Sequence, residues 1–121
     1  MGEIATSKRQ ITFFYSSDSK RAKQTLAYAH AEGLPIQKID ILKTPLTGTQ
    51  IVELSDRLGI RVKDLVNQDH PAYTSKFTHH ELSSEDWIKM IRQNPEIMKQ
   101  TIAIRGDNTI LIETPTDILR I

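Results

Sequence analysis

The chain has 121 residues, 38% of them hydrophobic and 26% charged, with a formal net charge of +1. Such a length can bury a core without disulfide staples, and the composition excludes a disordered chain. No apolar run reaches the roughly 18–20 residues of a membrane helix, and 16 basic against 15 acidic residues give no surplus for general nucleic-acid binding. With no cysteine, disulfides, thiolate catalysis and thiolate metal ligands are excluded together.

The expected organisation is a single domain over residues 1–121, with 1–10 a flexible lead-in. Charges in Met1–Gln10 break the apolar centre that a signal peptide requires, so the expected location is cytoplasmic. Met1-Gly2 with Thr6 fits the loose myristoylation pattern but lacks a strong second anchoring signal, and no membrane partner is expected.

Ile11-Thr12-Phe13-Phe14-Tyr15 is rich in β-formers and predicts a buried strand. Ser16-Ser17-Asp18-Ser19 offers turn and N-cap side chains, and Ala22, Leu26 and Ala29 then recur at helical spacing until Gly33 and Pro35. Ile36, Ile39, Ile41 and Leu42 predict a second strand, parallel to the first through a right-handed crossover. Thr47 and Gln50 form a capping box before a stripe of Ile51, Leu54 and Leu58, and Gly59 stops that helix. Val62, Leu65 and Val66 predict a short helix, and 67–80 has no sustained period. Ser83 and Asp86 open a helix carrying Trp87, Ile88 and Ile91, which falters at Asn94-Pro95; Ile97 and Met98 lie on a further turn. Thr101–Ile104 and Thr109–Ile112 are strands across a Gly106-Asp107-Asn108 turn, and Ile118, Leu119 and Ile121 follow Pro115 as a last buried turn. The class is α/β: a mixed sheet of about four strands flanked by helices, with helices inserted between a βαβ unit and a C-terminal hairpin.

These segments carry a resemblance. The strand–loop–helix ahead of Gly33-Leu34-Pro35, then Leu58-Gly59-Ile60 with Val62 and Leu65, Asn94-Pro95-Glu96-Ile97-Met98, Ile102-Ala103-Ile104 and Pro115 resemble arsenate reductases and Spx-type regulators in order and spacing. The resemblance implies a thioredoxin-like, glutaredoxin-like fold. It places the family's cysteine at Ser19 and the second cysteine of Spx-type C-x-x-C motifs at Ala22. Its three oxyanion-binding arginines fall on Asn67, Gln100 and Thr114, none a cation, and its cis-proline falls on Thr101. A cis bond before a non-proline residue costs roughly 3–4 kcal/mol, so a trans peptide and a reshaped pocket wall are expected there. Read this way, the chain is a degenerate member without thiol redox activity. It serves as a binding or regulatory module, with RNA polymerase the partner implied by Spx-type relatives.

A second reading keeps the old pocket for a small anion or glutathione, or for an enzyme of altered chemistry. Ser19, Lys20 and Arg21 are its candidate anion-binding residues, since a helix start presents free N–H groups, although Asp18 repels an anion. Ser19 as a nucleophile lacks a visible base, and an N-cap explains it. His70, His79 and His80 with Asp69 and Glu81 match no metal spacing, so no metal or other cofactor is expected. Arg105-Gly106-Asp107 is a turn sequence, and Trp87 is expected in the core.

Overall fold

Phe13 and Phe14 are adjacent in sequence, so in a strand they point to opposite faces, and both are buried. The strand that carries them, β1 (Ile11–Tyr15), is therefore covered on both sides, as a near-continuous apolar run requires. The computed structural model describes residues 8–67, 83–98 and 101–121. They divide into two compact units: one from the described residues of Ile4–Thr44 and Gln100–Ile121, the other from those of Pro45–Lys99.

The first unit holds the sheet. After β1 come helix α1 (Lys20–Ala31) and strand β2 (Ile36–Asp40); strands β3 (Ile102–Arg105) and β4 (Asn108–Leu111) follow much later in the chain. The strand order is β2-β1-β3-β4, with β2 parallel to β1, β3 antiparallel to β1, and β4 antiparallel to β3. The four-stranded mixed sheet and the parallel first pair agree with the sequence reading. On one face Ile11, Phe13 and Ala103 pack with Ala29 of α1, Ile112 and Ile118. Thr12, Phe14, Ile102 and Ile104 turn the other way and are also buried. Each such large side chain removed from water contributes about 1.5–3 kcal/mol before chain entropy is counted.

Several boundaries differ from the sequence reading. Strand β2 ends at Asp40, because Lys43 and Thr44 donate their N–H groups back to the Asp40 carbonyl (3.1 and 2.8 Å) and curl the chain into a turn. The final segment, Pro115–Arg120, is a 3-10 helix. A three-residue turn brings Ile118 into the core and Ile121, partly buried, against it, so Leu119, expected to be buried, is 54% exposed. The hairpin is tighter than expected. Arg105 pairs with Asn108, which leaves Gly106-Asp107 as a two-residue loop. Gly106 has a φ of +60°, which suits a glycine at the first central position of such a loop. The same glycine gives Lys8 room: a Cβ at 106 would lie 2.8 Å from Lys8 Cγ. Arg105 Nε donates to the Lys8 carbonyl at 2.9 Å, so the described end of the lead-in is strapped to the hairpin.

The second unit is helical. Thr47 accepts the Gln50 N–H at 3.1 Å, and the Gln50 side chain accepts the Thr47 N–H at 2.9 Å. This box opens α2 (Gly48–Leu58), which buries Ile51, Leu54 and Ser55 and ends at Gly59, φ +70°. The segment Val62–Leu65 is a 3-10 helix, and Val66 bridges to Met98. Ser83 and Asp86 repeat the reciprocal cap at 3.2 and 3.1 Å, opening α3 (Ser84–Gln93), which buries Trp87, Met90 and Ile91. Ile88, read as part of the buried stripe, is only half-buried; Met90 takes that place. Asn94 and Pro95 end α3, and Pro95–Ile97 forms a single 3-10 turn.

Candidate functional site

In open α/β sheets, ligands gather at the carboxyl ends of the parallel strands. Here that end is built from the loop 16–19 after β1, from Asp40 at the end of β2, and from the start of β3 beside the end of β4. Tyr15 pairs with Asp40 and Phe14 with Ile102, so the register alone brings these segments to one edge of the sheet.

The loop's polar groups are largely committed to one another. Ser16, fully buried, donates its hydroxyl to the Asp18 carboxylate. The Ser19 N–H donates to the Ser16 carbonyl at 3.0 Å. Ser19 is the N-cap of α1: its Oγ accepts the Ala22 N–H at 3.2 Å, and its carbonyl accepts the Lys23 N–H at 3.2 Å. A serine suits this position because it satisfies one orphan donor of the first turn. The first-turn N–H groups of Lys20 and Arg21 remain as the orphans any helix start has. The side chains of Lys20, Arg21 and Lys23 are exposed and enter none of the ion pairs found among the described residues.

Asp40 is the residue that sequence reasoning missed. Its Oδ1 accepts the Ser17 N–H at 3.2 Å and the Leu42 N–H at 3.0 Å, so one carboxylate ties the loop after β1 to the turn after β2. Its Oδ2 is buried and has no hydrogen-bond partner among the described residues. Burial by itself would raise its pKa. The Ser17 hydroxyl, the Leu42 and Ser17 N–H groups and the nearby Lys43 charge outweigh that effect and hold the carboxyl below the ordinary range. A carboxylate closing the second parallel strand is the signal that points to it, because that strand end faces the loop.

At the other side of this edge, Thr101 is 1% exposed and has a φ of +74°, a conformation that a β-branched residue rarely adopts. Its carbonyl accepts the Ile112 N–H at 2.8 Å, and its hydroxyl lies 3.5 Å from the Ile112 carbonyl oxygen. The expected peptide geometry before Thr101 involves Gln100, outside the described residues. Thr114 opens the last 3-10 helix, where Asp117 Oδ2 accepts the N–H groups of Glu113 and Thr114 at 2.9 and 3.0 Å. Those two N–H groups lead the causes that hold the Asp117 carboxyl below its usual value, and Arg120 assists.

Ser19, Ala22, Thr101 and Thr114 thus belong to one unit, with Thr101 and Thr114 near one end of the hairpin. Asn67 belongs to the helical unit, where its N–H donates to the Ile97 carbonyl at 2.7 Å. Gln100, with the histidines at 70, 79 and 80, lies outside the described residues. Among the described residues no group of three metal-ligating side chains occurs, and no helix is long and apolar enough to cross a membrane.

The fold is that of the arsenate reductases, a thioredoxin-like class. The arsenate reductase from Vibrio cholerae superposes with a TM-score of 0.83 at 17% identity, over 93% of this chain and 98% of that one. An arsenate reductase candidate from Yersinia pestis gives 0.82 at 20% identity, over 92% and 99%. An arsenate reductase (ArsC) related protein from Brucella melitensis gives 0.72 at 12% identity, over 98% and 97%. No protein-family model matches the sequence, and no curated protein matches it significantly.

Proposed function

We propose that this chain is a thiol-free protein of arsenate-reductase fold that acts by binding a protein partner. The observation that carries this reading is at the start of α1. Where the resemblance puts the reactive sulfur, Ser19 spends its hydroxyl on capping the helix, and no cysteine exists elsewhere in the 121 residues to replace it. A serine hydroxyl forms neither a mixed disulfide nor an arsenic–sulfur intermediate. The carboxylates of Asp18 and Asp40 at the same loop oppose a second anion, which weighs against a vestigial oxyanion or glutathione site. Partner binding needs none of the lost groups.

RNA polymerase, the partner implied by the resemblance to Spx-type regulators, is the first to test. The purified chain, immobilised, should retain purified RNA polymerase from its own source, and a coupled assay with glutathione and glutaredoxin should show no arsenate reduction beyond a Ser19→Ala control. Arsenate turnover above that control refutes the thiol-free reading. Recovery of the bait alone, from polymerase and from cross-linked cell extract alike, refutes the partner reading.

A further inference from the structure

The helical unit carries a groove of about 580 Å³ that has no part in the site described above; it is lined by Pro45, Glu85, Ile88, Lys89, Arg92 and Gln93. Its apolar lining is Pro45 with the half-buried Ile88, whose Cγ2 would lie 3.3 Å from a Cβ added at Gly48. That close approach at the start of α2 lets Ile88 sit between the helices rather than stand out in water. The remaining side chains are exposed. Lys89 and Arg92 are three residues apart on α3 and so neighbour each other on its surface. Neither enters any of the ion pairs found among the described residues, whereas Arg57 of α2 is held by Glu53 at 2.8 Å. Glu85 stands one turn before Lys89 on the same side of α3, so the lining carries two cations and one carboxylate.

We infer that this groove is where an acidic peptide segment of the partner docks, with one large apolar side chain on Ile88 and Pro45 and its carboxylates on Lys89 and Arg92. The inference rests on the partner reading and locates it on the molecule. Two features select this occupant. The walls are open, so a small molecule would leave much of its surface in water, whereas an extended segment continues beyond the groove and gains contact along α3. The charge is complementary as well: two cations that form no ion pair among the described residues lie beside an apolar floor, and an arginine binds a carboxylate through two parallel N–H donors. Glu85 sets polarity, because an acidic residue placed beside the first turn of α3 meets a like charge.

The test titrates the isotopically labelled chain with a library of short peptides, each holding acidic residues beside one large apolar residue, and with a matching library carrying glutamine for the acids. Amide shifts should centre on 85–93, saturate with the acidic library at least tenfold earlier than with the glutamine one, and weaken as salt is raised. The double variant Lys89→Glu/Arg92→Glu should lose at least tenfold in affinity while its Trp87 emission and thermal unfolding stay unchanged. Charge neutralisation by Lys89→Gln/Arg92→Gln should give an intermediate loss. Equal binding of the two libraries, an undiminished double variant, no binding at all, or shifts centred on the loop 16–19 would each overturn the groove assignment. None of these outcomes touches the retention of RNA polymerase, so the groove and the partner reading fail separately. Shifts at 85–93 produced equally by inorganic phosphate or succinate would replace the peptide with a small anion and overturn the inference too.

Discussion

Replacing Asp40 with alanine withdraws the acceptor that joins the loop after β1 to the turn after β2. Two N–H groups lose their partner, those of Ser17 and Leu42, at 3.2 and 3.0 Å. A hydrogen bond to a charged acceptor is worth about 1.5–3 kcal/mol, and these two belong at the weak end because the lengths are long and the site is only partly buried. The substitution also removes Oδ2, a buried oxygen without a partner among the described residues, whose desolvation costs about 1 kcal/mol or more. The net loss should be about 1–2 kcal/mol, a fall in Tm of about 4–8 °C for a chain of this size. Asp40→Asn retains an acceptor and should lose about half as much. The pH dependence separates charge from geometry. Since the Asp40 carboxyl titrates below its unfolded value, the native state binds fewer protons between the two values, and stability rises with pH across that window. The contribution is complete above the unfolded value of about 4 and fades as pH falls through the depressed native one. Urea unfolding followed by circular dichroism from pH 7 down to pH 3 should therefore show a shallower acid loss in Asp40→Asn than in the parent. An alanine variant as stable as the parent at pH 7, or an asparagine variant with the parent's full acid dependence, would refute this account of Asp40.

Thr101 should reverse the usual preference of alanine over glycine. With a φ of +74°, the left-handed backbone costs about 1–2 kcal/mol for any residue with a Cβ, so Thr101→Gly should melt higher than Thr101→Ala by about 1 kcal/mol, and the opposite order would count against strain there. Ser83→Ala and Thr47→Ala each remove a reciprocal cap and should each cost about 1 kcal/mol in denaturant unfolding. Ser19→Cys should place a thiol whose pKa, read from alkylation rate against pH, lies below the free value of about 8.5, because a helix start favours thiolate. The same variant should still reduce no arsenate if the resemblance assigns the oxyanion positions to Asn67, Gln100 and Thr114, none of which is a cation, and measured turnover would contradict that assignment.

The secondary structure was legible wherever local chemistry decides it. The capping box at Thr47 and Gln50, the helix start at Ser83 and Asp86, the glycine stop at Gly59 and the break at Asn94-Pro95 occur as read, because each depends on residues within one turn. The buried faces of the helices were less legible. Thr25 and Ser55 are buried although polar, since each donates its hydroxyl to a carbonyl of the preceding turn, those of Arg21 (2.9 Å) and Val52 (2.8 Å). Met90 rather than Ile88 joins Trp87 and Ile91 in the core, a choice made by how α3 packs and not by its spacing. Leu119 was misplaced because apolar character alone does not reveal that a 3-10 turn rotates it into solvent. At the candidate site, the missing cysteine was plain from the composition. The tie from Asp40 to Ser17 was not, for it joins residues 23 apart and exists only once the strand register is set.

The sheet's connectivity has a consequence for biosynthesis. β1 sits between β2, its near neighbour in the chain, and β3, which begins only at Ile102. During synthesis the βαβ segment therefore emerges with Phe13 and Phe14 on a strand whose inner edge is unpaired until β3, more than 80 residues further along, has left the ribosome. Pairings so distant in sequence form slowly, and open apolar strands attract other chains meanwhile. Expression at low temperature or with a holding chaperone should raise the soluble yield, and truncation before β4 should leave an insoluble product rather than a smaller folded one.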